Sequence, residues 1–335
     1  MNADFGPVYV IAEMACSHEG KLELAKKIID GAGRAGASAI QFQIWSLKDM
    51  VVPHHPDFAK LQNIELSRDN WIELADYVRK QFPQMHIIAC VYERSSVDFA
   101  EKIKVDAYKL HSSDLSNPFL LEYVAKTGKR IDLSVGASTM EEISAAISYI
   151  KNNSQSAIWL MYGYQNFPTP IDSLNMQLMN TIKNTFNLPV GYQDHSDAEA
   201  PLAFYLPAVA LGMGMNVIEK HITHDRSFKG IDHESALNPK EFAEFTKMVR
   251  EIAIAMGSSV RKPFSAEEIK YRKYSKKSLV ASRDIPVGNI IGEQDLLFMR
   301  ADDLGLPPDQ KWRLIGKTTL LPIPKYSLMR EEQVK

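Results

Sequence analysis

From Val8 to Gly257, short apolar stretches alternate with longer segments whose apolar positions recur at helical spacing. The pattern predicts strands at Val8–Met14, Ser38–Ile44, His86–Tyr92, Ala107–Ser112, Arg130–Gly136, Ala157–Gly163, Leu188–Asp194 and Asn216–Ile222. It predicts helices at Leu22–Ala35, near Trp71–Gln81 and Val97–Ile103, at Pro118–Lys126, after Thr139, near Ser173–Asn184 and across Pro201–Leu211. Two helix starts are signposted. Thr139-Met-Glu-Glu142 reads as a capping box, and Asn238-Pro239 as an N-cap followed by proline at the first helical position. The helix that opens at Asn238 stops near Gly257, and a long loop runs through Pro53 and Pro56.

Eight strand–helix units in succession fit a closed (β/α)8, or TIM, barrel. The alternative, an open doubly wound sheet, favours a glycine-rich phosphate turn after the first strand. The turn here reads Cys16-Ser-His-Glu-Gly20. From Ser275 the pattern changes, after a charged link. Arg261–Lys273 is charged, and Ser265-Ala-Glu-Glu268 signals a linker helix. Ser278-Leu-Val-Ala281, Asp284-Ile-Pro-Val-Gly288 and Gly316-Lys-Thr-Thr319 suggest short strands and turns. The expected organisation is therefore a barrel at 1–260, a linker at 261–274 and a small β-rich domain at 275–335. A core that small is expected to dock onto another surface.

Composition narrows the function. With 39 Lys and Arg against 41 Asp and Glu, the chain has no electrostatic support for a nucleic-acid role. No apolar run is long enough to cross a membrane, and the N-terminus lacks a signal-peptide pattern. Cys16 and Cys90 make no disulfide framework, so a reduced, cytoplasmic setting is expected.

A TIM barrel carries its active site at the C-terminal ends of its strands, and polar residues collect there. The first strand offers Glu13, with Ser17, His18 and Glu19 after it. Gln41 and Gln43 share a face of the second, and Lys109 and His111 a face of the fourth, which runs on to Ser112, Ser113 and Asp114. The fifth offers Ser134. The sixth leads to Tyr162, Tyr164, Gln165 and Asn166, and the seventh ends Gln193-Asp194-His195. In the eighth, Glu219 and His221 face the same way at the end of an apolar segment, where they are costly unless paired, metal-bound or wet. His195 and His221 end neighbouring strands, so both imidazoles could reach one divalent ion, with Asp194 as a supporting partner. A His pair satisfied by nearby carboxylates is the other reading. Each of these residues alone could be structural; their convergence on one rim is what points to chemistry.

Several motifs recur in order: Ile11-Ala-Glu-Met with His18-Glu-Gly20, Ala107-Tyr-Lys-Leu, Phe167-Pro-Thr-Pro170, Gly191-Tyr-Gln-Asp-His195, and Ile218-Glu-Lys-His-Ile with Lys229-Gly-Ile-Asp-His233. Together they resemble the sialic acid synthase family, which includes pseudaminic and legionaminic acid synthases. The segment from Ser278-Leu-Val-Ala-Ser-Arg-Asp-Ile-Pro-Val-Gly288 through Met299-Arg300, Gly305-Leu-Pro-Pro308 and Ile315-Gly316 resembles that family's antifreeze-like (SAF, β-clip) domain.

The resemblance implies condensation of phosphoenolpyruvate with the open-chain aldehyde of an N-acylated hexosamine, with release of phosphate. It implies a divalent metal, typically Mn²⁺ with Mg²⁺ or Co²⁺ as alternatives, held by His195 and His221 to polarise the aldehyde. It also implies catalytic roles for Glu13, Asp114 and Glu219. The phosphoenolpyruvate contacts would be Lys109, Ser112, Gln41, Gln165 and Gln193, and the sugar contacts Asp232 and Arg300. Arg300 would serve a partner's site in a domain-swapped homodimer. The chain departs from the family pattern at Gln41, Cys90, His111-Ser-Ser-Asp114, Gln165 and Gln193, chiefly around the donor's phosphate. Two other readings compete: a Schiff-base aldolase or lyase using Lys109, and a degenerate barrel that binds a sugar or acidic ligand without turnover.

Overall fold

The structure is a computed structural model and describes residues 7–335. Eight parallel strands close into a barrel in chain order. They are β1 (Tyr9–Glu13), β2 (Ala39–Ile44), β3 (His86–Val91), β4 (Ala107–Leu110), β5 (Arg130–Ser134), β6 (Ile158–Tyr162), β7 (Val190–Asp194) and β8 (Val217–His221). The helices between them are α1 (Leu22–Arg34), α2 (Leu47–Met50), α3 (Phe58–Gln62), α4 (Arg68–Gln81), α5 (Arg94–Lys102), α6 (Pro118–Ala125), α7 (Met140–Asn153), α8 (Leu178–Phe186), α9 (Leu202–Gly212) and α10 (Pro239–Met256). The expected TIM barrel is the observed fold.

Local chemistry explains most of these boundaries. Thr139 and Asn238 both close capping boxes, and proline opens α6 and α10. Two differences stand out. The long loop after β2 carries the short helices α2 and α3. α8 starts later than the periodicity suggests, because a 3-10 turn at Ile171–Ser173 comes first and Asn175 has a positive φ of 44°.

Side chains of the strands alternate between two cores. Val10, Ala12, Ile40 and Phe42 face outward to meet helix residues such as Ile28, Ile29 and Trp71. Ile11, Ala39, Ile88, Ala107, Met161 and Val217 form a separate cluster that fills the lumen. Below it, the Arg130 guanidinium lies 3.9 Å from the Trp159 ring and 4.9 Å from that of Tyr9, and it donates twice to Asp132 at 2.8 and 2.9 Å. That layer plugs the N-terminal end, so only the C-terminal mouth is free for polar groups.

The second compact unit runs from Ser258 to Lys335, the first ending at Gly257. α11 (Ala266–Ser275), read from the sequence as a linker, groups with this second unit. Its strands β9 (Lys277–Ala281) and β10 (Leu296–Arg300) pair antiparallel, and single bridges such as Ile285 with Ile323 extend the β character. Leu279, Ala281, Ile285, Ile291, Leu296, Leu314, Ile323, Met329 and Val334 form its core. Among the described residues, no helix is long and apolar enough to cross a membrane.

Candidate active site

The strand register sets which side chains meet. Glu13 on β1 is level with His221 on β8 and Gln41 on β2. Cys90 on β3 is level with Gln43 and Lys109, and Gln193 on β7 with Glu219. These inward positions sit one layer above the lumen cluster. They line a cavity of about 50 Å³ with Ser134, His111, Gln165, Phe167, His195 and Asp232. All eight strands or the loops just after them contribute.

Lys109 holds the centre. Its Nζ lies 2.6 Å from Glu219 Oε2 and donates to Gln193 Oε1 at 3.0 Å, with all three residues buried. Burial pulls the Lys109 pKa down. The Glu219 carboxylate opposes this, joined by Cys90 and Glu13, and the net shift is upward, so the side chain stays an ammonium. That argues against a nucleophilic amine and hence against the Schiff-base reading.

Glu13 accepts from the Ala15 amide at 2.6 Å and from Gln43 Nε2 at 3.2 Å through the same oxygen, Oε1. Its Oε2 is buried without a partner. Burial, and then the Glu219 charge, raise its pKa well above the usual carboxylate value. Asp232 is pushed up to about 6 by burial.

The His195 and His221 rings are 5.2 Å apart, inclined at 63°. His195 Nδ1 lies 2.8 Å from the Tyr164 carbonyl and, as its donor, leaves Nε2 with a lone pair. His221 Nδ1 is buried with no well-formed hydrogen bond, although the main chain at Asp194 lies close enough to favour a proton slightly. Burial lowers the His195 pKa to about 4 and that of His221 well below its usual value, so both rings are neutral. Two neutral imidazoles, one oriented by a carbonyl and one with an unspent nitrogen, suit a divalent cation. Among the described residues, no group of three His, Cys, Asp or Glu is arranged to hold a metal.

Not every candidate lies here. Ser112 and Asp114 form a 3-10 turn after β4 and do not line the cavity; Asp114 accepts from Ser113 and Asn117 instead. Arg300 belongs to the second unit, exposed at the end of β10. Asp194 faces away from the imidazoles. Its carboxylate takes Lys220 Nζ at 2.7 Å, the Tyr192 hydroxyl at 3.0 Å and both the amide and hydroxyl of Ser196. The alternation of the strand explains this: Asp194 and Lys220 are even-numbered neighbours of inward-facing odd residues.

Two contributors, Tyr92 and Phe167, carry little sequence signal. Gln43 braces Glu13, and the Tyr92 hydroxyl donates to it at 3.3 Å. Phe167 stacks 4.4 Å from the His195 ring and 6.0 Å from that of His221, covering the pair from the β6–α8 loop.

The NeuB family model matches residues 28–261. The chain belongs to the NeuB family. Among relatives, an uncharacterized protein of Methanocaldococcus jannaschii is 33% identical over 88% of this chain and 85% of its own length. The N,N'-diacetyllegionaminic acid synthase of Legionella pneumophila is 28% identical, covering 92% of this chain and 89% of that enzyme. Among solved structures, the N-acetylneuraminic acid synthetase of Leptospira borgpetersenii superposes with a TM-score of 0.72 at 30% identity, over 80% of this chain and 92% of that one. The NeuB match covers most of the barrel, including every cavity residue from β2 onward.

Proposed function

We propose that this NeuB-family chain is a nonulosonic acid synthase, joining phosphoenolpyruvate to the aldehyde of an N-acylated hexosamine and releasing phosphate. The observation that carries the reading is the convergence in one cavity of an ammonium, an unpartnered carboxyl oxygen and two neutral imidazoles. A bond forms between C3 of the donor and the aldehyde carbon, water adds at C2, and the C2–O bond to phosphate breaks.

Lys109 supplies positive charge for the donor's anionic groups, with Glu219 fixing its position. Ser134, Gln41, Gln165 and Gln193 offer neutral hydrogen bonds around it. Glu13 Oε2, buried and without a partner, would hand a proton to the aldehyde oxygen or take one from water. His195 and His221 would hold a divalent cation, Mn²⁺ first among candidates, which would supply Lewis-acid polarisation of a carbonyl oxygen. Phe167 shields the imidazole pair from water. A cavity of about 50 Å³ is far below the several hundred Å³ of a typical ligand site, so the mouth must open to admit substrates.

Asp232, on the loop after β8, is the proposed sugar contact. Arg300 is the proposed contribution of the second unit to a partner's site in a domain-swapped homodimer, with that unit acting as an antifreeze-like domain. Asp114 and Ser112, one turn from the cavity, would serve only after the β4 loop rearranges. Two buried free thiols, Cys16 and Cys90, suit a reducing cytoplasm.

The test is phosphate release from phosphoenolpyruvate with Mn²⁺ across N-acetylmannosamine, its 6-phosphate and diacetamido-trideoxyhexoses, with and without chelator. Release that depends on one sugar and is lost with chelator supports the reading. Silence across the panel with metal bound overturns it in favour of a binding barrel without turnover.

A further inference from the structure

Two side chains hold Lys109 in this cavity, and one of them is a neutral amide. A Lys ammonium has three N–H donors. Glu219 takes one at 2.6 Å and Gln193 Oε1 takes a second at 3.0 Å. That leaves one for a ligand. The Gln193 amide is held from the other side as well: it makes contacts with Ser134 Oγ at 3.2 Å from Oε1 and 3.0 Å from Nε2. The three side chains therefore form a continuous polar chain across β4, β5 and β7.

The backbone makes room for this arrangement. A Cβ placed on Gly163, at the end of β6, would meet the Gln193 carbonyl at 2.2 Å and its Cγ at 2.5 Å. A shorter side chain at 193 could not span from β7 to Lys109, and the cavity would widen where the amide now lies. Among the described residues that line the cavity, Lys109 is the only Lys or Arg, against the carboxyl groups of Glu13, Glu219 and Asp232. Any anionic donor thus depends on Lys109 more than it would in a site rich in cations.

We infer that Gln193 is a specificity-determining residue for the donor: by occupying one Lys109 N–H and the space beside it, it sets how strongly the site grips a donor anion. This rests on the synthase reading above. A ligand can take the third Lys109 N–H as the site stands, and a second only by displacing the Gln193 amide, which retains Ser134 as its partner. The grip is weaker than a free ammonium would give, which favours release of the phosphate product.

The experiment measures donor KM, kcat and the dissociation constant of inorganic phosphate for wild type, Gln193→Ala and Gln193→Glu, each with Mn²⁺. Freeing one charge-assisted N–H is expected to tighten phosphate and lower the donor KM roughly tenfold in Gln193→Ala. A carboxylate at 193 neutralises Lys109 and is expected to raise both by at least roughly tenfold. The acceptor KM serves as the comparison, since a general loss of packing would move it as well. Thermal unfolding reports whether each variant folds, and the two variants move donor affinity in opposite directions, which misfolding cannot do. Donor KM and phosphate affinity unchanged in both variants, with wild type active, would overturn the role of Gln193 alone. No donor binding or turnover in wild type would overturn the synthase reading and this role with it.

Discussion

Lys109 and Glu219 form an ion pair of 2.6 Å inside the barrel mouth, with their side chains 3% and 4% exposed. Each partner neutralises a charge that the other could not bear alone in so dry a place. Removing Glu219 as Glu219→Ala is expected to destabilise the protein by about 3–5 kcal/mol, because it strands a buried ammonium. A Lys109→Met, Glu219→Met double variant should recover much of that loss while remaining inactive. Urea unfolding of the two variants checks this; equal losses in both would mean that packing, not charge, dominates.

The imidazole pair should be separable from the rest of the site. His195→Ala and His221→Ala are each expected to lose Mn²⁺ binding, measured by titration calorimetry, and to lower turnover at least roughly 100-fold. Both should fold, since neither ring anchors a helix or strand contact of the main core. Retained metal affinity in both variants would remove the pair from the metal's ligands.

Asp194 offers a contrast one residue away. Its carboxylate and Lys220 are fully buried between the barrel wall and the helices, 2.7 Å apart. Asp194→Ala should cost about 3–5 kcal/mol of stability. If the pair is purely structural, metal affinity in the folded fraction changes little, which calorimetry after correction for unfolded protein will read.

Burial raises Asp232 to about 6 from an ordinary 3.8. The folded state therefore holds this proton more tightly than the unfolded chain does. The sign follows: Asp232 costs nothing below pH 4, and its ionisation removes stability as pH rises from about 4 to about 6, by up to about 3 kcal/mol. Asp232→Asn should flatten that part of the stability profile. If the carboxylate grips the sugar, acceptor KM in wild type should fall as pH passes upward through 6, and the Asn variant should lose that dependence.

Gly163→Ala tests how tightly β6 and β7 meet. Its Cβ would lie 2.2 Å from the Gln193 carbonyl, a contact that only backbone movement can relieve. A loss of stability of about 1–3 kcal/mol is expected, with a greater loss of donor affinity than of acceptor affinity. A neutral outcome would show that the strand ends are softer than the packing suggests.

The barrel was readable from the sequence because each strand is a short apolar run and several helices announce their starts. Thr139 and Asn238 are capped as their neighbours suggest. The inward residues were readable from simple alternation, which put Gln41 with Gln43, Lys109 with His111, and Glu219 with His221 on common faces. What alternation could not give was the depth of each residue within the mouth. Ser112 and Asp114 follow Lys109 closely in sequence, yet the chain leaves the strand at Leu110 and turns them off the cavity. Phe167 was hidden for the opposite reason: it lies in an irregular loop with no periodicity, and only the folded path brings it over His195. Asp194 was misplaced as a support for the imidazoles because adjacency in a strand means opposite faces.

The plug of Arg130, Tyr9 and Trp159 has a kinetic meaning as well as a structural one. With the far end of the lumen filled, the mouth is a single doorway, and everything that enters must leave by it. Lys109 lies deep in that passage, and Asp232 sits on a loop at its rim. Whatever Lys109 holds has to arrive before whatever Asp232 holds, and cannot depart past it. With the donor on Lys109 and the sugar on Asp232, as proposed, the barrel would behave as a dead-end alley, and an excess of sugar alone should slow the donor's entry.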